Sequence, residues 1–435
     1  MVKRIQKGCD DMAVHVVSKG ENLWGISRLY GIPLQIVAQV NGLTSTTSLV
    51  PGLALYLPDT QLPIRYYQIK AGDQIWQLAN QFNTSTAAIL AANPGINPNH
   101  IVVGQIIAIP SPIKMEIATL GFIVPSAKGE ILSTLDTLAN QLTYLAVVAY
   151  SFTEEGFAFN EIEDSEIVTK CNQLNITPLL MIRNFTKGDF SAELAGRVLE
   201  NPAYRQNLIA SIVNLTSQRD FGGVSIDFEF IPPPRRQDFN KFLTDLKAAL
   251  GNLILHVNVH AKTADIPTNR IIGAYDYMAI GNAADIVAVM TIDYGYPTGP
   301  PDPIAPITWM EQVVRYSLTQ INPRKLQIAM PLYGYDKIAL THSTHALSVL
   351  AAQNQAIVTG QQIQFENTAK SPWYRYWKNN EEHVVWYEDI RSYMEKYKLL
   401  DVYLLLGTTF WQLSLPSPQN WEYLNQKISV VKNII

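Results

Sequence analysis

From about residue 113 onward, short apolar runs rich in β-branched residues alternate with longer segments that have helical apolar spacing. Such alternation indicates βαβ units whose parallel strands are buried on both faces. Eight runs are predicted to be strands: 115–124, 142–150, 176–183, 223–229, 253–260, 286–292, 326–332 and 402–407. Eight such units predict an α/β fold, a (β/α)8 or TIM barrel, over residues 113–435.

The segments between these runs carry the apolar stripe of a helix packed on a sheet, as in Phe239, Phe242, Leu243, Leu246 and Leu250. The gap between the seventh and eighth runs is too long for one helix. Residues 336–389 are therefore predicted to form a small inserted α+β subdomain. Its tryptophans could wall one side of a cleft or form the subdomain's own core: Trp373, Trp377 and Trp386.

The N-terminal part of the chain contains an internal repeat, in which residues 15–58 match residues 67–110 at a constant offset of 52. Gly20 matches Gly72, Trp24 matches Trp76, and Asn41 matches Asn93. Each unit has the pattern of a short βααβ module, which places two modules at 13–60 and 65–111. The segments 59–65 and 110–112 have the proline and polar content of domain joints.

Both repeats resemble the LysM module, a small domain that binds peptidoglycan and chitin. The resemblance implies a shallow groove for N-acetyl groups between two strand-to-helix loops, about 20–23 with 49–52 and 72–75 with 101–104. The implied glycan-binding residues are Gly20, Glu21, Asn22 and Leu23, and then Gly72, Asp73, Gln74 and Ile75. Whether Trp24 and Trp76 are core residues stays open at this point.

Composition narrows the possible partners. With 33 basic and 37 acidic residues the formal net charge is −4, which disfavours nucleic acid and anionic membranes. Two cysteines, Cys9 and Cys171, are too few for a disulfide framework or a zinc site. No apolar run is long enough for a transmembrane helix, and the first residues lack the apolar core of a secretory signal. We therefore expect a protein made in the cytosol.

The fourth strand carries the candidate chemistry, because active sites of such barrels lie at the carboxyl ends of the strands. Side chains alternate along a strand, so Ser225, Asp227 and Glu229 are predicted to point into the barrel mouth. Two neighbouring carboxylates repel each other, which favours a proton on one of them at neutral pH, as a general acid requires. Taken alone, the tripeptide Asp227-Phe228-Glu229 favours an ordinary exposed strand end.

Four segments resemble glycoside hydrolase family 18, the chitinase-like barrels: FGGVSIDFE (221–229), MTID (290–293), MPLYGYD (330–336) and FWQL (410–413). The resemblance implies that Glu229 protonates the glycosidic oxygen and that Asp227 orients the substrate's 2-acetamido group, which acts as nucleophile. Hydrolysis would then be substrate-assisted and retaining. Trp411 would form an apolar floor under the sugar, and Asp293 and Tyr333 would donate or accept hydrogen bonds to it.

The sequence also departs from that family. Gly222 and Ser225 occupy positions where the family has acidic residues, and Ser225 can replace only a hydrogen bond. Ile292 occupies the position of a tyrosine whose hydroxyl would contact the acetamide oxygen. Tyr294 could substitute for that tyrosine if the sixth strand continues.

Paired LysM modules ahead of this barrel resemble the spore cortex-lytic N-acetylglucosaminidases of endospore-forming bacteria. This resemblance implies spore cortex peptidoglycan as substrate and the spore coat or cortex as location, with no cofactor or metal. Two alternatives stay open: a lectin-like barrel that binds glycan without cutting it, which Ile292 favours and the Asp227/Glu229 pair opposes, and a chitinase. The oligomeric state also stays open.

Overall fold

The computed structural model describes residues 13–432, so Cys9 lies outside the described residues. Eight parallel strands pair in chain order, and the eighth pairs with the first, which closes the sheet. The predicted TIM barrel is thereby confirmed. Barrel strands 1 to 8 are Met115–Ile123, Tyr144–Phe152, Thr177–Arg183, Gly223–Asp227, Ile254–His260, Ile286–Met290, Leu326–Pro331 and Gly407–Trp411.

The predicted position of the eighth strand, 402–407, is wrong. Val402 ends the helix Ile390–Val402, and Leu404 turns the chain with a φ of 52° before the strand begins at Gly407. Leu405 and Leu406 are apolar because they are buried on the way into the barrel. Their hydrophobicity reflects burial and not strand pairing.

Helices cover the outside of the barrel and form its largest apolar core. The predicted stripe after barrel strand 4 is confirmed, since all five of its residues are buried in helix Arg236–Leu250. The helix Pro202–Gln218 begins with a proline, and the Asn201 side chain caps it by accepting from the Ala203 N–H. The other helices are Lys128–Leu138, Ser165–Gln173, Ala192–Glu200, Tyr277–Ala283, Ile307–Ser317, Ile390–Val402 and Pro418–Lys427.

Three short 3₁₀ helices and several short strands complete the barrel domain. The 3₁₀ helices are Ala139–Gln141, Pro233–Arg235 and Pro323–Lys325. The short strands are Ala158–Asn160 beside barrel strand 2, Ile428–Val430 beside barrel strand 1, and the hairpin Phe185–Thr186 with Asp189–Phe190. Within residues 13–432, no helix is both long enough and apolar enough to cross a membrane. Cys171 is buried, which raises the pKa of its thiol to about 12.

The inserted subdomain follows barrel strand 7 and is an antiparallel sheet of five strands with one helix, Val349–Val358. Its buried Asp336 accepts hydrogen bonds from Tyr376, Gln355 and His383. Trp373 and Trp386 stack on each other, whereas Trp377 is exposed. The strands are Tyr333–Ile338, Thr344–Ser348, Gln364–Glu366, Ser371–Lys378 and Glu381–Trp386.

The two N-terminal modules have the predicted βααβ order. The matched asparagines explain part of the repeat, because Asn41 and Asn93 each bond the end of the second helix to the closing strand through the same three hydrogen bonds. Trp24 and Trp76 are 60% and 56% exposed, so they are not core residues. The elements are Val14–Val16, Leu23–Tyr30, Leu34–Val40 and Ala54–Tyr56, then Ile64–Gln68, Ile75–Gln81, Thr86–Ala92 and Ile106–Pro110.

The modules are packed against the barrel domain in different ways. The first module shares one apolar core with the inserted subdomain, in which Val17 and Leu55 belong to the same cluster as Tyr374. The second module has its own core and is held by Arg65, whose guanidinium pairs with Asp401 at 2.8 Å. The backbone N–H of Tyr66 also donates to Asp401. The predicted joints are therefore fixed by contacts.

One glycine tests the packing of the first module. A Cβ added at Gly52 would lie 1.8 Å from the carbonyl oxygen of Ile363 in the inserted subdomain, whereas a Cβ at the matching Gly104 meets no atom within 4 Å. The two glycines have nearly equal φ angles, 84° and 88°, so alanine strains both backbones alike. We expect Gly52→Ala to cost about 1–3 kcal/mol more than Gly104→Ala, from overpacking. Calorimetric melting of both variants measures the difference, and equal melting temperatures would contradict the packing.

Candidate active site

Barrel strand 4 places two carboxylates at the barrel mouth. Val224, Ile226 and Phe228 point outward into the helical core, so the alternate residues Ser225 and Asp227 face inward, as predicted. The hydroxyl of buried Tyr275 donates to the carbonyl of Phe228 at 2.7 Å, which fixes the backbone beside Glu229. The strand end is thus held rigidly where the two acids emerge.

Glu229 is fixed by its backbone and has a basic neighbour. The buried Asn184 accepts from the Glu229 N–H at 2.8 Å and donates to the Glu229 carbonyl at 2.9 Å. The Glu229 carboxylate lies 3.2 Å from Nε2 of His260, and both side chains are less than one-fifth exposed. The carboxylate is therefore held in a defined position, with part of its surface still exposed.

Asp227 is buried and behaves unlike an ordinary aspartate. Burial raises the pKa of Asp227 well above its usual range, and the nearby Glu229 raises it further. The charge of Arg183 and a hydrogen bond from Asn258 act in the opposite direction. The net direction favours a proton on Asp227, which is the behaviour predicted for two adjacent carboxyl groups in a desolvated site.

Barrel strand 5 supplies polar residues that the sequence interpretation missed. His256 Nδ1 lies 2.9 Å from the hydroxyl of Ser225, and Asn258 donates to the same hydroxyl at 3.4 Å. Burial lowers the pKa of His256 to about 3, so its ring is neutral. A signal was available, because His256, Asn258 and His260 occupy alternate positions of an otherwise apolar strand. Ser225 thus takes part in an uncharged network.

Asp293, Tyr333 and Trp411 come together on the opposite side of the mouth. The hydroxyls of Tyr333 and Tyr335 donate to Oδ1 of Asp293 at 2.6 and 2.8 Å. Asp293 as a whole residue is exposed, but its carboxylate lies against these two buried rings. The resulting desolvation raises the pKa of Asp293, and the two hydrogen bonds oppose the rise. Trp411 packs beside the tyrosine pair and 5.4 Å from the ring of Phe122. Tyr335 was missed by the sequence interpretation.

Tyr294 could replace the missing tyrosine only if the sixth strand continued, and the strand does not continue. Barrel strand 6 ends at Met290, and Asp293 has a φ of 57°, so the alternation of faces does not continue to Tyr294. Tyr294 is 46% exposed and packs against Trp309 instead. The side chain of Ile292 remains half-buried, and no tyrosine from its own strand replaces the missing hydroxyl.

The candidate LysM residues mostly serve the local fold. The side chains of Leu23 and Ile75 are buried in the module cores, so only their backbone could meet a glycan. Asn22 caps the first helix, and Glu21 pairs with His15. Asp73 accepts from the Lys70 N–H, and Gln74 bonds Trp76. Gly20 and Gly72 are exposed, with φ angles of 87° and 92°.

A barrel with this acidic pair at strand 4 can be compared with known families. The profile of Glycosyl hydrolases family 18 matches residues 140–415, and the LysM domain profile matches residues 15–58 and 67–110. The chain belongs to glycosyl hydrolase family 18. It is therefore a glycoside hydrolase with two LysM domains, and these domains imply binding of peptidoglycan or a chitin-like glycan.

Several known proteins are similar to this family 18 hydrolase along most of its chain. A Bacillus subtilis (strain 168) protein named "Putative sporulation-specific glycosylase YdhD" is 34% identical and covers 94% of this chain and 97% of its own. The "Cortical fragment-lytic enzyme" of the same organism is 30% identical, with coverages of 85% and 99%. The crystal structure of the Bacillus cereus spore cortex-lytic enzyme SleL superposes with a TM-score of 0.83 at 27% identity, covering 96% and 99%.

The raised pKa of Asp227 should make the folding stability of this family 18 hydrolase depend on pH. A carboxyl group whose folded-state pKa lies above the unfolded value of about 3.9 lowers stability as the pH rises from that value through the folded pKa. We therefore expect Asp227→Asn to melt at a higher temperature than wild type at pH 7, by roughly 2–4 °C for each kcal/mol recovered. The gain should vanish below pH 4, where Asp227 is protonated in both states.

The matched control is Asp336→Asn, which alters another buried aspartate. Asp336 accepts three side-chain hydrogen bonds, so its replacement should lower the melting temperature. Melting curves recorded from pH 3 to 8 test both variants. An Asp227→Asn protein that melts with wild type at every pH would refute the unfavourable burial of this carboxylate.

Proposed function

We propose that this hydrolase cleaves N-acetylglucosaminyl bonds in spore cortex peptidoglycan or its fragments, with retention at the anomeric carbon. The observation that carries the proposal is the buried, proton-favouring Asp227 beside the accessible Glu229. Substrate-assisted cleavage needs an acid that gives up a proton, here Glu229. It also needs a second carboxyl group that can exchange a proton with that acid, here Asp227.

In the proposed reaction Glu229 donates its proton to the glycosidic oxygen as the bond to C1 breaks. The oxygen of the substrate's 2-acetamido group attacks C1 and forms an oxazolinium-like intermediate. During this step the proton of the carboxyl pair is on Glu229, so Asp227 is ionised, orients the acetamide and balances the charge that develops on its nitrogen. Water then attacks C1 and returns a proton to Glu229, which restores the acid.

The remaining side chains position the sugar. Trp411 provides an apolar surface on which the C–H face of a sugar ring can pack. Asp293, held by Tyr333 and Tyr335, can accept a hydrogen bond from a sugar hydroxyl. Asn184 and Tyr275 act on the backbone around Glu229 and keep the acid in place.

The substrate assignment rests on the relatives and on the LysM domains. Relatives that span nearly the whole chain carry names that refer to sporulation, cortical fragments and spore cortex lysis. The LysM domains supply a glycan-binding function on the same chain. We propose a location in the spore coat or cortex for the same reason.

A non-hydrolytic, lectin-like barrel is the second candidate. Ile292 favours it, because the position cannot donate a hydrogen bond to the acetamide oxygen. Retention of Asp227 and Glu229 at the barrel mouth opposes it. A chitinase is the third candidate, since a chitinase from Chromobacterium violaceum superposes with a TM-score of 0.68 at 25% identity over 72% of this chain and 98% of its own.

The deciding experiment is mass spectrometry of muropeptides, cortical fragments and chitin oligomers after incubation with the protein. We expect products that end in reducing N-acetylglucosamine, and a rate about 10²–10⁴-fold lower for Glu229→Gln because the general acid is lost. Glu382→Gln, which alters an exposed pair with Arg375 in the inserted subdomain, is the matched control and should cleave normally.

The alternatives predict different product patterns. Binding without products from wild type would establish the lectin-like barrel and refute hydrolysis. Cleavage of chitin oligomers but of no cortical fragment would establish a chitinase.

A further inference from the structure

The two LysM modules provide an internal comparison of one loop in two environments. Gly52 and Gly104 match in the repeat, have φ angles of 84° and 88°, and donate their N–H groups to the carbonyls of Val17 and Ile69 at 2.8 Å. The loop before the closing strand, 49–52 in the first module and 101–104 in the second, therefore has the same backbone in both modules. Any difference between the loops comes from what surrounds them.

In the first module this loop is partly covered by the inserted subdomain and by helix Ile390–Val402 of the barrel domain. The N–H of Ile363 donates to the carbonyl of Pro51 at 2.9 Å, and the Arg391 guanidinium donates to the carbonyl of Gly52 at 3.3 Å. Val50 is only 6% exposed and lies in the apolar core shared with the inserted subdomain. These contacts restrict the access of a polymer to this loop.

In the second module the same loop is open. Val102, the match of Val50, is 65% exposed, and Val103 is 63% exposed. An added Cβ at Gly104 meets no atom within 4 Å, so no other part of residues 13–432 covers the glycine. These two adjacent exposed valines form a small apolar surface on which apolar groups of a ligand can pack.

We propose that glycan binding by the LysM pair is confined to the second module, at loops 71–75 and 101–104, and that the first module is a fixed structural part of the catalytic unit. This inference deepens the proposed function and rests on its N-acetylated glycan as ligand. Residues 101–104 carry no charge, which suits an uncharged sugar chain whose acetyl methyl groups can pack on the valines. The Arg65–Asp401 pair holds this open module on the barrel.

The consequence for affinity is specific. Two equivalent sites on one chain would bind an insoluble glycan by avidity. Loss of one site would then weaken binding, and the remaining site would still bind. With one open LysM site, changes in the second module alone should weaken binding strongly. Changes at exposed loop positions of the first module should have no effect.

The test compares two double variants of the full chain by co-sedimentation with chitin and with purified peptidoglycan sacculi. The second-module variant is Ala71→Glu with Val103→Glu. The first-module variant is Lys19→Glu, which matches Ala71, with Ser48→Glu, which lies next to loop 49–52 because the match of Val103, Pro51, is not exposed; the four altered positions are exposed. Chitin is uncharged, and the first-module variant adds more negative charge, so general repulsion cannot imitate the expected result. Melting curves confirm that both variants fold.

We expect the second-module variant to bind chitin at least tenfold more weakly than wild type and the first-module variant to stay within twofold. Equal weakening by both variants, or wild-type binding by the second-module variant, would overturn the proposal. The binding assay does not depend on turnover. A wild-type protein that binds but does not cleave would therefore refute the proposed hydrolysis and leave this result standing.

Discussion

Closure of the parallel sheet is the constraint on which the other features depend. Gly407 makes it possible, because its backbone lies so close to barrel strand 1 that a Cβ there would sit 1.8 Å from the carbonyl oxygen of Ala118. Closure forces every second side chain of each strand into one enclosed space. Apolar side chains such as Leu120, Met181 and Leu406 fill part of that space, and the polar ones gather around Asp227.

This enclosure explains why the site is mostly uncharged. His256 is neutral because it is buried, Ser225 contributes only a hydroxyl, and Asp227 favours its protonated form. The ionisable groups nearest the opening are Glu229, which lies against His260, and Arg183, which pairs with Glu161. In the proposed reaction, the carboxyl group that exchanges protons with the substrate is the more exposed one, Glu229, and its partner Asp227 is the more buried one.

The parts predicted from sequence are those set by local periodicity. Strand alternation correctly assigned the faces of Ser225 and Asp227, and helical spacing correctly assigned the stripe that begins at Phe239. The failures came where tertiary structure decides: the run before Gly407 is apolar through burial, and the positive φ of Asp293 ends the alternation before Tyr294. Asn184 reaches the site from a distant segment, and no local pattern marks that convergence.

The shared core of the first module and the inserted subdomain also orders events during synthesis. Asn41 accepts a hydrogen bond from Gln353, which lies 312 residues later in the chain. At about 5–20 residues per second, the ribosome needs roughly 15–60 s to make the intervening chain. Throughout that interval the residues that the inserted subdomain contributes to the shared core, such as Tyr374, have not been made. The N-terminal module, although made first, is therefore among the last parts of the molecule to reach its native surroundings.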